Sequence, residues 1–122
     1  MNVTLIGYGS GNVASVRFAL ERLGARVRIS ADPADLDEAE RVILPGVGAA
    51  GYAMQRLNAL GLVEPLRRFK RPLLGVCLGQ QLLFETSAED GGADLLGLIP
   101  GRVKAIAPAP STLSGDAAVR QA

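Results

Sequence analysis

Histidine is absent from this 122-residue chain, and cysteine occurs once. Without imidazole, no complete Ser-His-Asp or Cys-His machine exists within these residues, nor any histidine metal cluster. One thiol excludes an internal disulfide framework and a multi-cysteine zinc site. Excess charge is missing as well: 13 Lys and Arg against 12 Asp and Glu leave +1. There is thus no broad basic field for nucleic acid and no acidic tail. No apolar run approaches the roughly 18 residues a membrane helix needs. The opening Met1-Asn2-Val3-Thr4 has no basic region and too short an apolar core for a signal peptide. The expectation is a reducing, cytoplasmic setting, with no membrane or nucleic-acid partner. What is abundant is apolar residues, 48%, with 15 glycines, enough for one domain around one core.

The apolar pattern alternates between short strands and helical faces. Val3-Thr4-Leu5-Ile6 reads as a buried strand running into Gly7-Tyr8-Gly9-Ser10-Gly11-Asn12. Asn12 suits an N-cap, Val13, Val16, Leu20 and Leu23 follow at helical spacing, and Gly24 closes the helix. Val27-Arg28-Ile29 is a second strand, and 32–37 a polar connection of about one helical turn. Val42-Ile43-Leu44 and Leu73-Leu74-Gly75-Val76 are continuous apolar runs, as in buried parallel strands. Between them lie a helix carrying Met54, Leu57 and Leu60 and a second over 63–69. A helix bearing Leu82, Leu83 and Phe84, an acid- and glycine-rich loop over 85–94, and a last strand within 98–103 complete the pattern. Strand, helix, strand in alternation predicts an α/β fold with a parallel sheet flanked by helices. Past Ile106, proline and serine crowd a stretch with no amphipathic period. The expected division is an organised unit, 1–106, and a disordered tail, 107–122.

The chemistry concentrates at two strand ends. Gly75-Val76-Cys77-Leu78-Gly79 has the Gly-x-nucleophile-x-Gly form of a nucleophile elbow, with cysteine in place of serine. The glycines leave room for a strained turn, and a helix N-terminus behind the sulfur favours the thiolate. The Leu78 amide is expected to face a developing oxyanion. Pro45-Gly46-Val47-Gly48 follows the neighbouring strand, where Val47 or Gly48 supplies the second oxyanion donor. A buried structural cysteine and an ordinary βα loop explain each motif separately; together they favour acyl transfer on an amide. Gly7-x-Gly9 partly matches a dinucleotide fingerprint, with Asp32 as a ribose-binding acid, but Asn12 stands at its third glycine. Arg67, Arg68, Lys70 and Arg71 read as a solvated helix face rather than a phosphate site. Tyr8 and Tyr52, beside the glycine loops, line a cleft or pack half-buried.

These segments resemble a known family, the class I (triad) glutamine amidotransferases. The stretches 7–16, 44–49, 74–85 and 96–103 are similar, in order and spacing, to the glutamine amidotransferase subunits of imidazole glycerol phosphate synthases. The resemblance implies a flavodoxin-like α/β fold, incomplete at the C-terminal end. It implies Cys77 as nucleophile toward the glutamine side-chain amide, with no cofactor and no metal. Val47, Gly48 and Leu78 match the oxyanion segments, and Gln81 and Glu89 match positions that hold the substrate. The implied partner is a (β/α)8 cyclase subunit, which uses the ammonia to make imidazole glycerol phosphate for histidine biosynthesis. Gly7, Ala50 and Gln80 depart from the usual aspartate, phenylalanine and methionine. The family's catalytic histidine and glutamate lie in a later His-Pro-Glu segment that has no counterpart here. The expectation is a truncated or frame-shifted subunit, inactive alone. A non-catalytic docking half-domain and a nucleotide-binding domain are the competing readings.

Overall fold

A computed structural model describes residues 1–89, 92–104 and 106. The expected tail, 107–122, lies outside the described residues. Four parallel strands form the main sheet: β1 (Asn2–Ile6), β2 (Arg26–Ser30), β3 (Val42–Leu44) and β4 (Leu73–Gly75), in the order β2-β1-β3-β4. The helices are α1 (Val13–Arg22), α2 (Pro33–Glu38), α3 (Ala50–Ala59) and α4 (Val63–Arg68), followed by a single turn, α5 (Leu78–Gln81). Right-handed crossovers dictate their placement. The path from β1 to β2 moves one way along the sheet and puts α1 on one face. The paths to β3 and β4 move the other way and put α2, α3 and α4 on the opposite face. The chain reverses direction between β1 and β3, and at such a switch point the strand ends leave a crevice.

Two apolar clusters follow from this winding. The larger joins Ile6, Val42 and Leu44 of the strands to Leu36, Ala53, Leu57 and Leu66 of α2, α3 and α4. The smaller holds Val3, Leu5, Ala25 and Ile43, with Val13, Val16 and Leu20 of α1 half-buried against it. The sides alternate along each strand as period-2 geometry requires. Asn12 caps α1 as expected, accepting the Ser15 N–H at 3.2 Å. Asp32 caps α2 in the same way, accepting from Ala34 at 2.9 Å. Leu23, expected on the buried face of α1, is instead its C-cap and 80% exposed, because the helix stops at Arg22.

The region after Cys77 differs most from expectation. The anticipated helix through Phe84 ends at Gln81, and the loop over 85–94 contains strands. Here β5 (Thr86–Ser87) pairs antiparallel with β6 (Ala93–Asp94) and parallel with β7 (Arg102–Val103). The last strand is therefore two residues long and belongs to a second, three-stranded sheet. The basic cluster is also not simply a solvated face. Arg67 donates to the Leu95 and Leu96 carbonyls, at 3.2 and 3.0 Å, and so ties α4 to the segment after β6. Arg71 donates to the Ala39 and Asp37 carbonyls, at 2.6 and 2.7 Å, and Arg68 pairs with the Asp37 carboxylate.

Candidate active site

The ladder between β3 and β4 continues past both strand ends. Val76 N–H donates to the Leu44 carbonyl at 2.9 Å, and Leu78 N–H donates to the Gly46 carbonyl at 3.0 Å. The Cys77 turn and the Pro45–Gly48 loop are thereby held side by side at the carboxyl end of the sheet, where open α/β sheets bind ligands. Cys77 sits at the apex of the turn with φ 56° and ψ −126°, exposed. It is the one non-glycine residue with positive φ among the described residues. Such a conformation costs of order 1–3 kcal/mol and persists only where the surroundings impose it.

The flanking glycines are required by packing. A Cβ on Gly79 would collide with the Leu44 carbonyl oxygen, and one on Gly75 would lie 2.6 Å from the Gln80 nitrogen. Both contacts are with backbone, which cannot swing aside. The turn can therefore fold against β3 only with glycine at these two positions, and Cys77 is carried to the surface between them.

A second strap comes from the first glycine loop. Tyr8, fully buried, donates its hydroxyl to the Pro45 carbonyl at 2.6 Å. Burial pushes its phenol above the ordinary tyrosine range. The Ser10 hydroxyl donates to the Val47 carbonyl and accepts from the Val47 N–H, each at 3.0 Å. Arg56 of α3 fixes the same loop by donating to the Tyr8 carbonyl at 3.1 Å. The sequence offered no signal for Ser10, since its partner lies 37 residues away.

In this arrangement two of the anticipated oxyanion donors are engaged. Leu78 N–H is held by Gly46 and Val47 N–H by Ser10. Gly48 follows with φ 83°, in an exposed turn. The single turn of α5 also supplies less dipole behind the sulfur than the longer helix expected. Gln81 closes α5, half-buried, and Glu89 is exposed after β5, its N–H donating to the Ser87 hydroxyl at 3.2 Å. Thus Cys77, Leu78 and Gly46 are directly connected, whereas Glu89 belongs to the second sheet's loop. Asp32, weighed as a ribose-binding acid, is occupied as the cap of α2. The first glycine loop is filled by the protein itself: a Cβ on Gly11 would lie 2.9 Å from the Gly46 nitrogen. Dinucleotide binding there loses both its acid and its cradle. A groove of about 400 Å³ bordered by Thr4, Arg26, Arg28 and Glu40 opens near the amino-terminal ends of β1 and β2, the opposite end of the sheet from Cys77.

A cysteine turn packed beside a proline-glycine loop on a parallel sheet is an arrangement that can support acyl transfer. The family description "Glutamine amidotransferase class-I" matches residues 4–112, and the chain belongs to that family. Among curated relatives, the imidazole glycerol phosphate synthase subunit HisH of Xylella fastidiosa (strain Temecula1) is 57% identical over 109 residues, 89% of this chain and 54% of the relative. The HisH subunit of Xanthomonas axonopodis pv. citri (strain 306) is 58% identical over 108 residues, 88% of this chain and 54% of the relative. The chain thus spans about half the length of the curated relatives it matches. No helix among the described residues is long and apolar enough to cross a membrane.

Proposed function

We propose that this chain carries the nucleophile and oxyanion half of a glutaminase that supplies ammonia to an imidazole glycerol phosphate-forming cyclase. The observation that supports it most is Cys77 at φ 56°, exposed at the carboxyl edge of the sheet and joined to the Gly46 loop through Leu78. The Cys77 thiolate attacks the side-chain amide carbon of glutamine and forms a tetrahedral oxyanion. The C–N bond then breaks, the nitrogen takes a proton and leaves as ammonia, and a γ-glutamyl thioester remains. Water attacks the thioester, releases glutamate and restores the thiol. Gln81 and Glu89 hold the glutamine substrate. The ammonia passes to the cyclase as partner subunit, in a reducing cytoplasm that keeps Cys77 a free thiol.

Two features keep these residues idle on their own. The first is proton transfer: the 122 residues hold no histidine to deprotonate the thiol or protonate the leaving nitrogen, help worth on the order of 10²–10⁴-fold. The second is the oxyanion hole. The Gly46–Val47 peptide directs its carbonyl at Leu78 N–H and its own N–H at Ser10. Turning that one peptide over frees the Leu78 N–H and brings the Val47 N–H to the same side, so both donors become available together. A donor of this kind contributes about 3–4 kcal/mol to the transition state.

A chimera tests this. Residues 1–104 are fused to the remainder of the Xylella relative, and ammonia release from glutamine is measured with the cyclase present. Turnover that disappears in Cys77→Ala is expected, with none from the 122-residue chain. Turnover that survives Cys77→Ala, or a folded chimera with none, overturns the proposal.

A further inference from the structure

Polar residues interrupt the apolar pattern on one face of the main sheet. Alternate strand residues share a face, so Val3 and Leu5 of β1 lie beside Val27 and Ile29 of β2 on the α1 side. On the α2 side the same strands begin with Asn2 and Thr4 beside Arg26 and Arg28, before Ile6 rejoins the core. α2 is six residues long and ends at Glu38, which leaves this polar half of the face uncovered. The opening is the groove of about 400 Å³ at the amino-terminal ends of β1 and β2.

Its two walls carry opposite charge. Arg26 and Arg28 form one, and Glu38 and Glu40, on the chain entering β3, form the other. Asn2 and Thr4 of β1 make the floor between them, so the two walls stand about two strand spacings apart, roughly 10 Å. Arg28 already pairs with Asp35 at 2.9 Å, and Glu40 with Arg41 at 3.4 Å. Arg26 and Glu38 have no ion-pair partner among the described residues.

The floor supplies a second observation. Thr4 is only 4% exposed, yet its hydroxyl has no hydrogen-bond partner among the described residues and is not sealed from the groove. A hydroxyl held at the bottom of a cleft, with its donor and both acceptor sites free, is suited to fix a small ligand. Charge then selects the ligand. A dianion such as phosphate is repelled by Glu38 and Glu40, and a bare cation by Arg26 and Arg28. A molecule bearing a carboxylate and an ammonium side by side satisfies both walls at once. We infer that this groove binds a free α-amino acid as its zwitterion. The carboxylate meets Arg26 and the Thr4 hydroxyl, and the ammonium meets Glu38. The site lies at the opposite end of the sheet from Cys77 and is independent of the chemistry proposed there.

Glycine is the probe, since it carries the two charges and nothing else. Amide resonances of the isotope-labelled 122-residue chain are followed by NMR as glycine is added at constant ionic strength. Saturable shifts at Thr4, Arg28 and Glu40 are expected, half-complete at about 1–10 mM, with Gly46 and Leu78 beside Cys77 unmoved. Acetate and methylammonium, the two halves of the zwitterion, should each bind at least about tenfold more weakly. Arg26→Gln and Glu38→Gln, both at exposed positions, should each weaken glycine binding at least about tenfold. Shifts that stay linear to about 100 mM, or that fall elsewhere on the chain, overturn the inference. So does acetate or methylammonium binding as tightly as glycine, or glycine binding unchanged in the two variants. If either variant does not fold, the comparison of the three probes on the unaltered chain still decides.

Discussion

One hydroxyl, that of Ser10, holds both backbone polar groups of Val47, accepting from its N–H and donating to its carbonyl, each at 3.0 Å. A serine hydroxyl has one donor and two acceptor sites, so this pair occupies its donor and one lone pair. Ser10→Ala removes both bonds at once and leaves the Val47 N–H free to exchange. Exchange of the Val47 amide, followed by NMR, should accelerate at least about tenfold, with a loss of about 1–2 kcal/mol in urea unfolding. Unchanged exchange would show that something other than Ser10 holds the loop.

Gly79 is the tightest point of the site, its Cα facing the Leu44 carbonyl where no Cβ fits. Gly79→Ala must push α5 away from β3 and with it break the Leu78-to-Gly46 bond. The expected loss is about 3 kcal/mol or more, as for overpacking against backbone. Gly51→Ala, at a helical position with open space around it, is the matched control and should be neutral or slightly stabilising. Equal melting temperatures for the two variants would contradict the packing account.

The tight turn at Cys77 was readable from the glycines two residues before and two after it, although only Gly75 answers to contacts within that same turn, while Gly79 answers to the Leu44 carbonyl of β3. The parallel, helix-flanked sheet was readable because apolar strands alternated with helical faces, whereas the strand order was not. Nor was the end of α5. Leu82, Leu83 and Phe84 continue an apolar pattern, yet their carbonyls accept from Leu96, from Leu98 and Ile99, and from Gly97, all near 2.8–2.9 Å. Those backbone bonds go to a segment some 14 residues onward instead of up the helix, and no periodicity encodes that choice. The two-residue strands β5, β6 and β7 share the difficulty, as does Ser10, whose partner is remote in sequence.

Arg67 shows how a basic cluster becomes structural. Its guanidinium reaches the Leu95 and Leu96 carbonyls and the Glu64 carboxylate, using the planar fork that lysine lacks. Arg67→Lys is therefore expected to destabilise nearly as much as Arg67→Ala, by about 1–2 kcal/mol. The readout is chemical denaturation, with faster amide exchange at Leu96 and Leu98 as the local signature. Full stability in the lysine variant would reduce the contact to simple charge.

Tyr8 makes the alkaline stability of the chain depend on one phenol. Burial raises its folded-state pKa above the ordinary value near 10, so the unfolded chain loses the proton first. Below that value both states hold the proton and the contribution is complete. As the pH rises past it, the unfolded state binds fewer protons, and stability falls until the folded phenol also ionises. Tyr8→Phe should remove this alkaline slope from urea midpoints measured between about pH 9 and 11. At neutral pH it should cost about 1–2 kcal/mol, because the Pro45 carbonyl loses its donor. An unchanged slope in the phenylalanine variant would assign the alkaline transition to another group.

Cys77 separates strain from chemistry. At φ 56° a side chain of any kind is unfavourable, and the cost is borne by the turn whether or not the atom on Cβ is sulfur. Cys77→Ala keeps the Cβ and the strain, so its stability should stay close to that of the unaltered chain. Cys77→Gly removes the strain but adds backbone freedom to the unfolded state, an opposing effect of about 0.5–1 kcal/mol. The net expectation is that Cys77→Gly is more stable than Cys77→Ala by about 1 kcal/mol, measured by urea unfolding at neutral pH. Since neither variant retains a thiol, an increase confined to glycine identifies stored backbone strain at the position where the proposed nucleophile is held out. Glycine equal to or less stable than alanine would show that the turn adopts this conformation without strain.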